Sequence, residues 1–153
     1  MRLQASEIIF WTNSLKTTDV NNGTIEGFET IYYELDGTKV NLFTRATDIQ
    51  VDYLAYFFEG FSSLERIDIS SWRTQNVVDF QNLFRHCFSL KDINLGNLDT
   101  SNGECFQRMF DDCVNLERID GISNIDTHNA TNMVCMFRNC VKLAALDLSN
   151  FDT

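Results

Sequence analysis

The chain has 153 residues, 44% of them apolar, which is enough for one domain with a moderate core. Its 22 acidic and 12 basic residues give a net charge of -10, and this balance disfavours direct nucleic-acid binding because phosphate contacts need clustered Lys and Arg. No uninterrupted apolar run reaches the roughly 18 residues of a membrane span, so the sequence predicts none.

Residues 1–50 predict a small β-rich segment. Residues 31–35 and 38–43 flank Asp36-Gly37, a pair typical of a tight hairpin turn. The apolar run at residues 7–12 predicts a further strand or buried edge, and residues 20–24 predict a loop. Because the first unit of a repeat array must be covered from water, we expect these 50 residues to form an N-terminal cap. The alternative is a recognition patch containing Trp11, Tyr32 and Tyr33.

Residues 51–153 contain four copies of one pattern, which divide at residues 51–76, 77–102, 103–129 and 130–153. The marker residues Phe58, Phe84, Phe110 and Phe137 lie 26, 26 and 27 residues apart. Such a period is typical of a solenoid, in which each unit buries its apolar face against its neighbours. The sequence therefore predicts one four-repeat solenoid domain behind the cap.

Each repeat predicts a helix followed by a strand. Apolar residues recur first at i, i+3, i+4 and i+7, as in Phe80, Leu83, Phe84 and Cys87, which predicts about two helical turns. They then alternate, as in Ile93 and Leu95, which predicts a short strand. The third repeat carries one extra residue, Gly121, where we expect a β-bulge.

Residues 133–153, which read MVCMFRNCVKLAALDLSNFDT, resemble the repeat of the BspA-like leucine-rich family of bacterial surface proteins and mycoplasma lipoproteins. The resemblance extends over the four repeats, about two thirds of the chain, with Phe61 and Gly121 as departures. It implies a right-handed, leucine-rich-repeat-like α/β solenoid, with a parallel sheet on one face and helices or loops on the other. It also implies a role in adhesion and protein binding.

Five cysteines are present, and one per repeat recurs at the same inward position in Cys87, Cys113 and Cys140. An odd total with this spacing predicts a ladder of buried free thiols rather than disulfides. Cys105 and Cys135 lie off the ladder and form no CxxC or Cys-His ligand spacing. The sequence therefore predicts no metal site and no cofactor.

The alternation predicts that some strand residues point away from the core, and these residues should form three rows along the stack. The first row contains Arg66, Asp92, Arg118 and Ala145; the second contains Asp68, Asn94, Asp120 and Asp147; the third contains Ser70, Gly96, Ser123 and Ser149. Neighbouring strands are about 4.8 Å apart, so carboxylates in the second row repel one another unless a cation or basic partner compensates. The alternative is that these side chains bond only to local backbone in turns.

The third repeat is the most acidic, with six acidic and two basic residues. We expect its binding candidates, together with the second row, to face a basic protein; they are Glu104, Asp111, Asp112 and Glu117. Solubility alone is the alternative explanation of the charge.

The fourth repeat completes the pattern without a polar capping unit after it. An open edge exposes apolar side chains and an unpaired strand at residues 145–149, which predicts a homodimer or a longer array. The candidate interface residues are Met133, Met136, Phe137, Leu146 and Leu148.

The sequence carries no catalytic motif, and His86 and His128 look like solvated residues rather than bases. We therefore expect a non-enzymatic protein-interaction scaffold. A small acidic inhibitor of a nuclease or regulator, such as a phage anti-defence protein, is the first alternative, and a surface adhesin fragment is the second. Since no signal peptide is recognisable, the chain as written is expected in the cytoplasm, or at the bacterial surface if it is part of a longer protein.

Overall fold

The computed structural model describes residues 22–25, 28–36, 39–44, 49–70, 72–96 and 98–152. Their regular structure consists of short strands and one 3-10 turn. The strands are β1 Asn22–Ile25, β2 Phe28–Asp36, β3 Lys39–Thr44, β4 Ile49–Gln50, β5 Leu64–Asp68, β6 Trp72–Arg73, β7 Asp92–Asn94 and β8 Arg118–Asp120.

One sheet runs through the described chain in the order β1-β2-β3-β5-β7-β8, and β4 pairs with β6 in a second, smaller sheet. The predicted hairpin is confirmed, because β2 and β3 pair antiparallel with Asp36 opposite Lys39. β3 then pairs in parallel with β5, so the N-terminal strands continue the sheet of the repeats. The predicted loop is wrong at residues 22–24, which belong to β1. The strand predicted at residues 7–12, and Trp11, lie outside the described residues.

Parallel pairing joins the repeats at their strands. Arg66 lies opposite Asp92 between β5 and β7, and Asp92 lies opposite Arg118 between β7 and β8. The strand residues Ile67, Ile93 and Ile119 are buried, as the alternation predicted. The strand predicted at residues 145–149 is wrong. In the described chain no backbone hydrogen bond joins this segment to β8, and its Ser149 N–H bonds instead to the Asp147 side chain.

The helices predicted before each strand are also wrong. Residues 55–60, 81–86, 107–112 and 134–139 form turns, which we call the turn layer. Two residues per repeat have positive φ in these turns: Tyr56 and Gly60, Asn82 and His86, Arg108 and Asp112, Cys135 and Asn139. Residues of a right-handed helix have negative φ, so the two positive-φ residues prevent each of these segments from forming a helix.

Hydrogen bonds between repeats explain why turns replace helices. The Phe110 N–H donates to the Met136 carbonyl of the next repeat at 2.9 Å, whereas the Asp111 N–H donates to Arg108 in its own repeat at 3.2 Å. A helix would use both amides internally. The alternating pattern releases every second amide for a bond to the neighbouring repeat, and it still turns Phe84 and Cys87 inward, where a helix would also have placed them.

The core is a continuous stack of apolar side chains between the turn layer and the sheet. Phe84 and Phe110 stack at 5.5 Å between ring centroids, and Phe58 and Phe137 extend the column at 5.3 and 5.4 Å. Phe80 and Phe106 form a second stack at 5.1 Å. Each ring therefore fills the space between two repeats, and the stack binds the repeats into one core.

Gly121 does not form the predicted bulge. β8 ends at Asp120, and Gly121 begins a 3-10 turn over Ile122–Asn124 with φ of 82°. A Cβ at Gly121 would lie 2.5 Å from the Gly96 carbonyl oxygen of the preceding repeat. The extra residue thus allows the backbones of two repeats to approach closely, which only glycine permits here.

Candidate functional site

The outward face of β5, β7 and β8 carries charged side chains in rows. In the first row Arg66 Nε lies 3.1 Å from Asp92 Oδ2, and Arg118 Nη2 lies 3.5 Å from Asp92 Oδ1. Arg118 Nε also lies 3.4 Å from Asp120 Oδ2 in the second row. The face therefore alternates in sign, and its two arginine side chains are 67% and 64% exposed.

The second row is joined by hydrogen bonds. Asn94 Nδ2 donates to Asp68 Oδ2 at 3.0 Å, so an amide separates Asp68 from Asp120 along the row. Asp68 also accepts the Ser70 N–H at 2.9 Å, and Asn94 accepts the Gly96 N–H at 3.0 Å. The repulsion expected along the row is therefore partly compensated within the protein, by the Asn94 amide beside Asp68 and by Arg118 beside Asp120.

Asp147 repeats the same local turn bond but lies outside the sheet. Its Oδ1 accepts the Ser149 N–H at 3.1 Å. The hydrogen bonds from Ser149 hold the pKa of Asp147 below its usual range, because they stabilise the carboxylate. The structure therefore brings Asp68, Asn94 and Asp120 together on paired strands, whereas Asp147 belongs to no strand.

Asp111 is fully buried, so its prediction as a surface binding residue is wrong. Arg138 of the next repeat binds both of its carboxylate oxygens, at 2.7 Å from Nε to Oδ1 and 2.6 Å from Nη2 to Oδ2. The Nε atoms of Arg85 and Arg108 lie 3.6 and 3.9 Å from Oδ2. Three guanidinium groups therefore surround one carboxylate, which offsets the desolvation of its charge. Hydrogen bonding to Asp111 in turn raises the pKa of Arg138.

This cluster is part of a column that alternates in sign along the stack. Arg85 Nη1 lies 3.0 Å from Glu59 Oε1 in the preceding repeat, and the column continues through Asp111 to Arg138. Its four members keep the 26- and 27-residue step of the phenylalanines. A comparison of equivalent positions in successive repeats would have paired Asp111 with arginine. The prediction used instead the total charge of the third repeat, which treats Asp111 as a surface residue.

The other acidic candidates differ in exposure and in their partners. Asp112 is half-buried, accepts a hydrogen bond from Asn139 Nδ2 at 2.6 Å, and lies 3.2 Å from His86 Nε2. The Asn139 hydrogen bond is the main cause that lowers the pKa of Asp112. Glu104 and Glu117 are exposed. His86 is not merely solvated as expected, because its ring stacks on Phe88 at 5.6 Å and its Nε2 faces Asp112.

The family described as "Mycoplasma protein of unknown function, DUF285" matches residues 41–153, about three quarters of the chain. The chain belongs to this family. No curated protein and no solved structure matches it. The match begins within β3 and includes all four repeats, and so it extends over every row and column described above.

In this member of the Mycoplasma family the repeated thiols satisfy backbone carbonyls. The Sγ atoms of Cys87, Cys113 and Cys140 donate to the carbonyl oxygens of Phe58, Phe84 and Phe110, each at 3.1 Å. All three thiols are free; Cys87 and Cys113 are buried as predicted, whereas Cys140 is only half-buried. Burial raises the pKa of Cys87 and Cys113, and it raises that of Cys140 to about 11.

Alkylation should therefore discriminate between the cysteines. At pH 8 a thiol with a pKa of about 11 is only about 0.1% thiolate, so the ladder thiols should react slowly with iodoacetamide. Half-buried Cys105 and Cys135 should be modified first, as peptide mass spectrometry would measure. In urea all five should react at similar rates. Equal native rates for Cys113 and Cys105 would contradict the ladder.

The candidate interface residues of the fourth repeat differ in exposure. Met136 is buried, Met133, Phe137 and Leu146 are half-buried, and Leu148 is 39% exposed. Much of this apolar surface is therefore packed against the core of the described repeats.

In the described part of the chain, no group of three or more His, Cys, Asp or Glu residues is arranged to hold a metal ion. The same part contains no helix with the length and apolar character needed to cross a bilayer.

Proposed function

We propose that this chain is a non-enzymatic protein-interaction scaffold whose partner binds the outward face of β5, β7 and β8. The observation that supports the proposal is the regular placement of charge on that face. Arg66, Asp92 and Arg118 occupy equivalent positions on successive parallel strands, above the apolar side chains of the core. A rigid array of alternating charges favours a partner with the complementary alternation.

As part of this proposal, we infer that the repeats are of the BspA-like leucine-rich type and form a solenoid. The parallel register at β3, β5, β7 and β8 supports this inference, as do the phenylalanine columns at the repeat step. The resemblance favours a partner met at the cell surface, in agreement with the adhesin alternative. The turn layer in place of a helix is a variation that preserves stacking.

The acidic-inhibitor alternative has less support. An inhibitor that occupies a nucleic-acid-binding groove needs acidic groups that remain free to meet basic side chains. Asp111 is instead enclosed by arginines, Asp112 bonds to Asn139, and Asp120 lies 3.4 Å from Arg118. These three acidic side chains of the third repeat therefore already have partners within the protein.

The proposal can be tested by affinity capture with a matched pair of double variants. Arg66→Ser with Asp120→Ser removes one base and one acid from the sheet face, and Lys142→Ser with Glu104→Ser makes the same change in charge at exposed residues elsewhere. A partner captured from the native host and identified by mass spectrometry should bind the first variant at least about tenfold more weakly than wild type. The second variant should bind like wild type.

Circular dichroism should confirm that both variants fold, since the substituted side chains are exposed. Unchanged affinity in the sheet-face variant would overturn the proposed site. Loss of binding only in the Lys142 and Glu104 variant would move the site away from the sheet.

A further inference from the structure

Buried side-chain polar atoms without a hydrogen bond are concentrated at one place in the described chain. There are four such atoms among the described residues, and three of them are Asn82 Oδ1, Arg85 Nε and Arg108 Nε. The fourth, Trp72 Nε1, belongs to β6. Because buried polar atoms are nearly always bonded to protein, water or an ion, a group of unbonded ones indicates a place where a ligand completes the hydrogen bonding.

These three residues lie in two neighbouring columns of the turn layer. Asn82 and Arg108 occupy equivalent positions in the second and third repeats, and Arg85 and Asp111 occupy the equivalent positions three residues further along each turn. The Asn82 N–H donates to the Gln107 carbonyl at 2.9 Å, so the two turns are in direct contact here. We call Asn82, Arg85, Arg108 and Asp111 the arginine patch; it lies between two repeats that each have a described repeat on their other side.

The arginine patch has more positive charge than the neighbouring carboxylates balance. Arg138 binds both oxygens of Asp111, and Arg85 donates to Glu59 at 3.0 Å. Arg108 donates no hydrogen bond to any described residue, and its Nε lies 3.9 Å from Asp111 Oδ2. Three guanidinium groups therefore meet two carboxylates, which leaves one positive charge in a chain whose net charge is -10.

These groups favour a ligand that is an anion and carries both acceptors and a donor. The N–H groups of Arg85 and Arg108 need oxygen acceptors, and the surplus positive charge favours an oxyanion. Asn82 Oδ1 needs a donor, in a side chain that is only 7% exposed. Hydrogen phosphate meets both needs, because it has several acceptor oxygens and one O–H. Sulfate has the oxygens without the O–H.

A ligand can reach the arginine patch without separating the repeats. The side chains of Arg85 and Arg108 are half-buried, so part of each lies at the surface. Because no hydrogen bond to a described residue holds Arg108, its guanidinium can turn on its flexible stem while the backbone stays in place. This movement uncovers the buried polar atoms beneath it.

We propose that the arginine patch binds inorganic phosphate. Arg85 and Arg108 donate hydrogen bonds to its oxygens, and its O–H donates to Asn82 Oδ1. The patch belongs to the turn layer, whereas the scaffold function proposed above uses the outward face of the sheet on the other side of the core. Either proposal can therefore fail without the other.

NMR of the arginine Cζ resonances would test the site in the full chain, during titration with sodium phosphate at about pH 7 and constant ionic strength. The resonances of Arg85 and Arg108 should shift saturably, whereas those of Arg66 and Arg118 on the sheet face should change little. Sodium sulfate should bind at least about tenfold more weakly, because it leaves Asn82 Oδ1 without a donor. Phenyl phosphate should behave like sulfate, since a phosphate monoester has a second pKa of about 6 and has mostly lost its O–H.

Three variants make the test specific, with circular dichroism to confirm that each one folds. Arg108→Gln removes the surplus charge and should weaken phosphate binding at least about tenfold. Lys142→Gln removes the same charge from an exposed side chain and should bind like wild type. Asn82→Gly tolerates the φ of 55° and should lose the preference for phosphate over sulfate.

Several results would overturn the proposed phosphate site. One is the absence of a saturable shift in the wild-type chain, and another is an equal shift of all arginine resonances, which would indicate a general effect of salt. Unchanged phosphate binding in Arg108→Gln would exclude the surplus guanidinium as a ligand. Equal binding of phosphate, sulfate and phenyl phosphate by the wild-type chain would exclude the O–H contact, as would a preference that persists in Asn82→Gly.

Discussion

Replacing Phe110 with Ala is expected to lower the free energy of unfolding by about 3–5 kcal/mol. The ring is fully buried and stacks on Phe84 and Phe137, at 5.5 and 5.4 Å. Removing it opens a cavity at both interfaces of the third repeat. In a stack where each unit contacts only its neighbours, weakening two adjacent interfaces threatens the whole array.

Urea denaturation followed by circular dichroism would measure this loss. Phe88→Ala is the matched control, because it deletes the same ring at a position 45% exposed and should cost less than about 1 kcal/mol. If Phe110→Ala had a near-wild-type midpoint, the phenylalanine column would not be the element that holds the repeats together.

The repeat step allowed the columns and strand positions to be predicted because a stack places equivalent residues above one another. Phe84 and Phe110 are equivalent in sequence and stack in the structure, and Asp92 lies opposite Arg118 as the predicted rows require. Such predictions depend only on the period. They fail where the period is broken, at Gly121, and at residues 145–149, which form no backbone hydrogen bond to β8 in the described part of the chain.

The turn layer could not be predicted from apolar spacing, because a helix and these turns bury the same positions. One sequence signal does separate them. The second positive-φ position of each turn is occupied by Gly60, His86, Asp112 and Asn139, which are residue types that tolerate the left-handed conformation better than most. The first position includes Tyr56 and Arg108, which give no such signal.

The buried cluster was missed for a different reason. Burial of Asp111 depends on an arginine 27 residues away, and total charge per repeat contains no information about pairing between repeats. The column from Glu59 to Arg138 shows that charge has to be read along the stack. Binding residues on the sheet face stay a prediction, because recognition depends on a partner's surface as well as on this one.

Replacing Asp111 with Ala is expected to cost about 2–4 kcal/mol of stability. The substitution leaves Arg85, Arg108 and Arg138 close together without their shared carboxylate. Their side chains are 26%, 37% and 44% exposed, so water partly solvates the released charges and limits the loss. Asp111→Asn should cost less, because an amide retains one acceptor oxygen and the shape of the side chain.

Thermal and urea unfolding of both variants would measure these losses, with Glu117→Gln as the control for removal of one exposed acidic charge. Because Asp111 is buried, its effect should persist at high salt, whereas an effect that arises from the net charge of the protein should be screened. A double-mutant cycle with Arg138→Ala should show strong coupling, since Arg138 binds both carboxylate oxygens. Losses that simply add would mean that Asp111 stabilises the stack through a contact other than the arginine column.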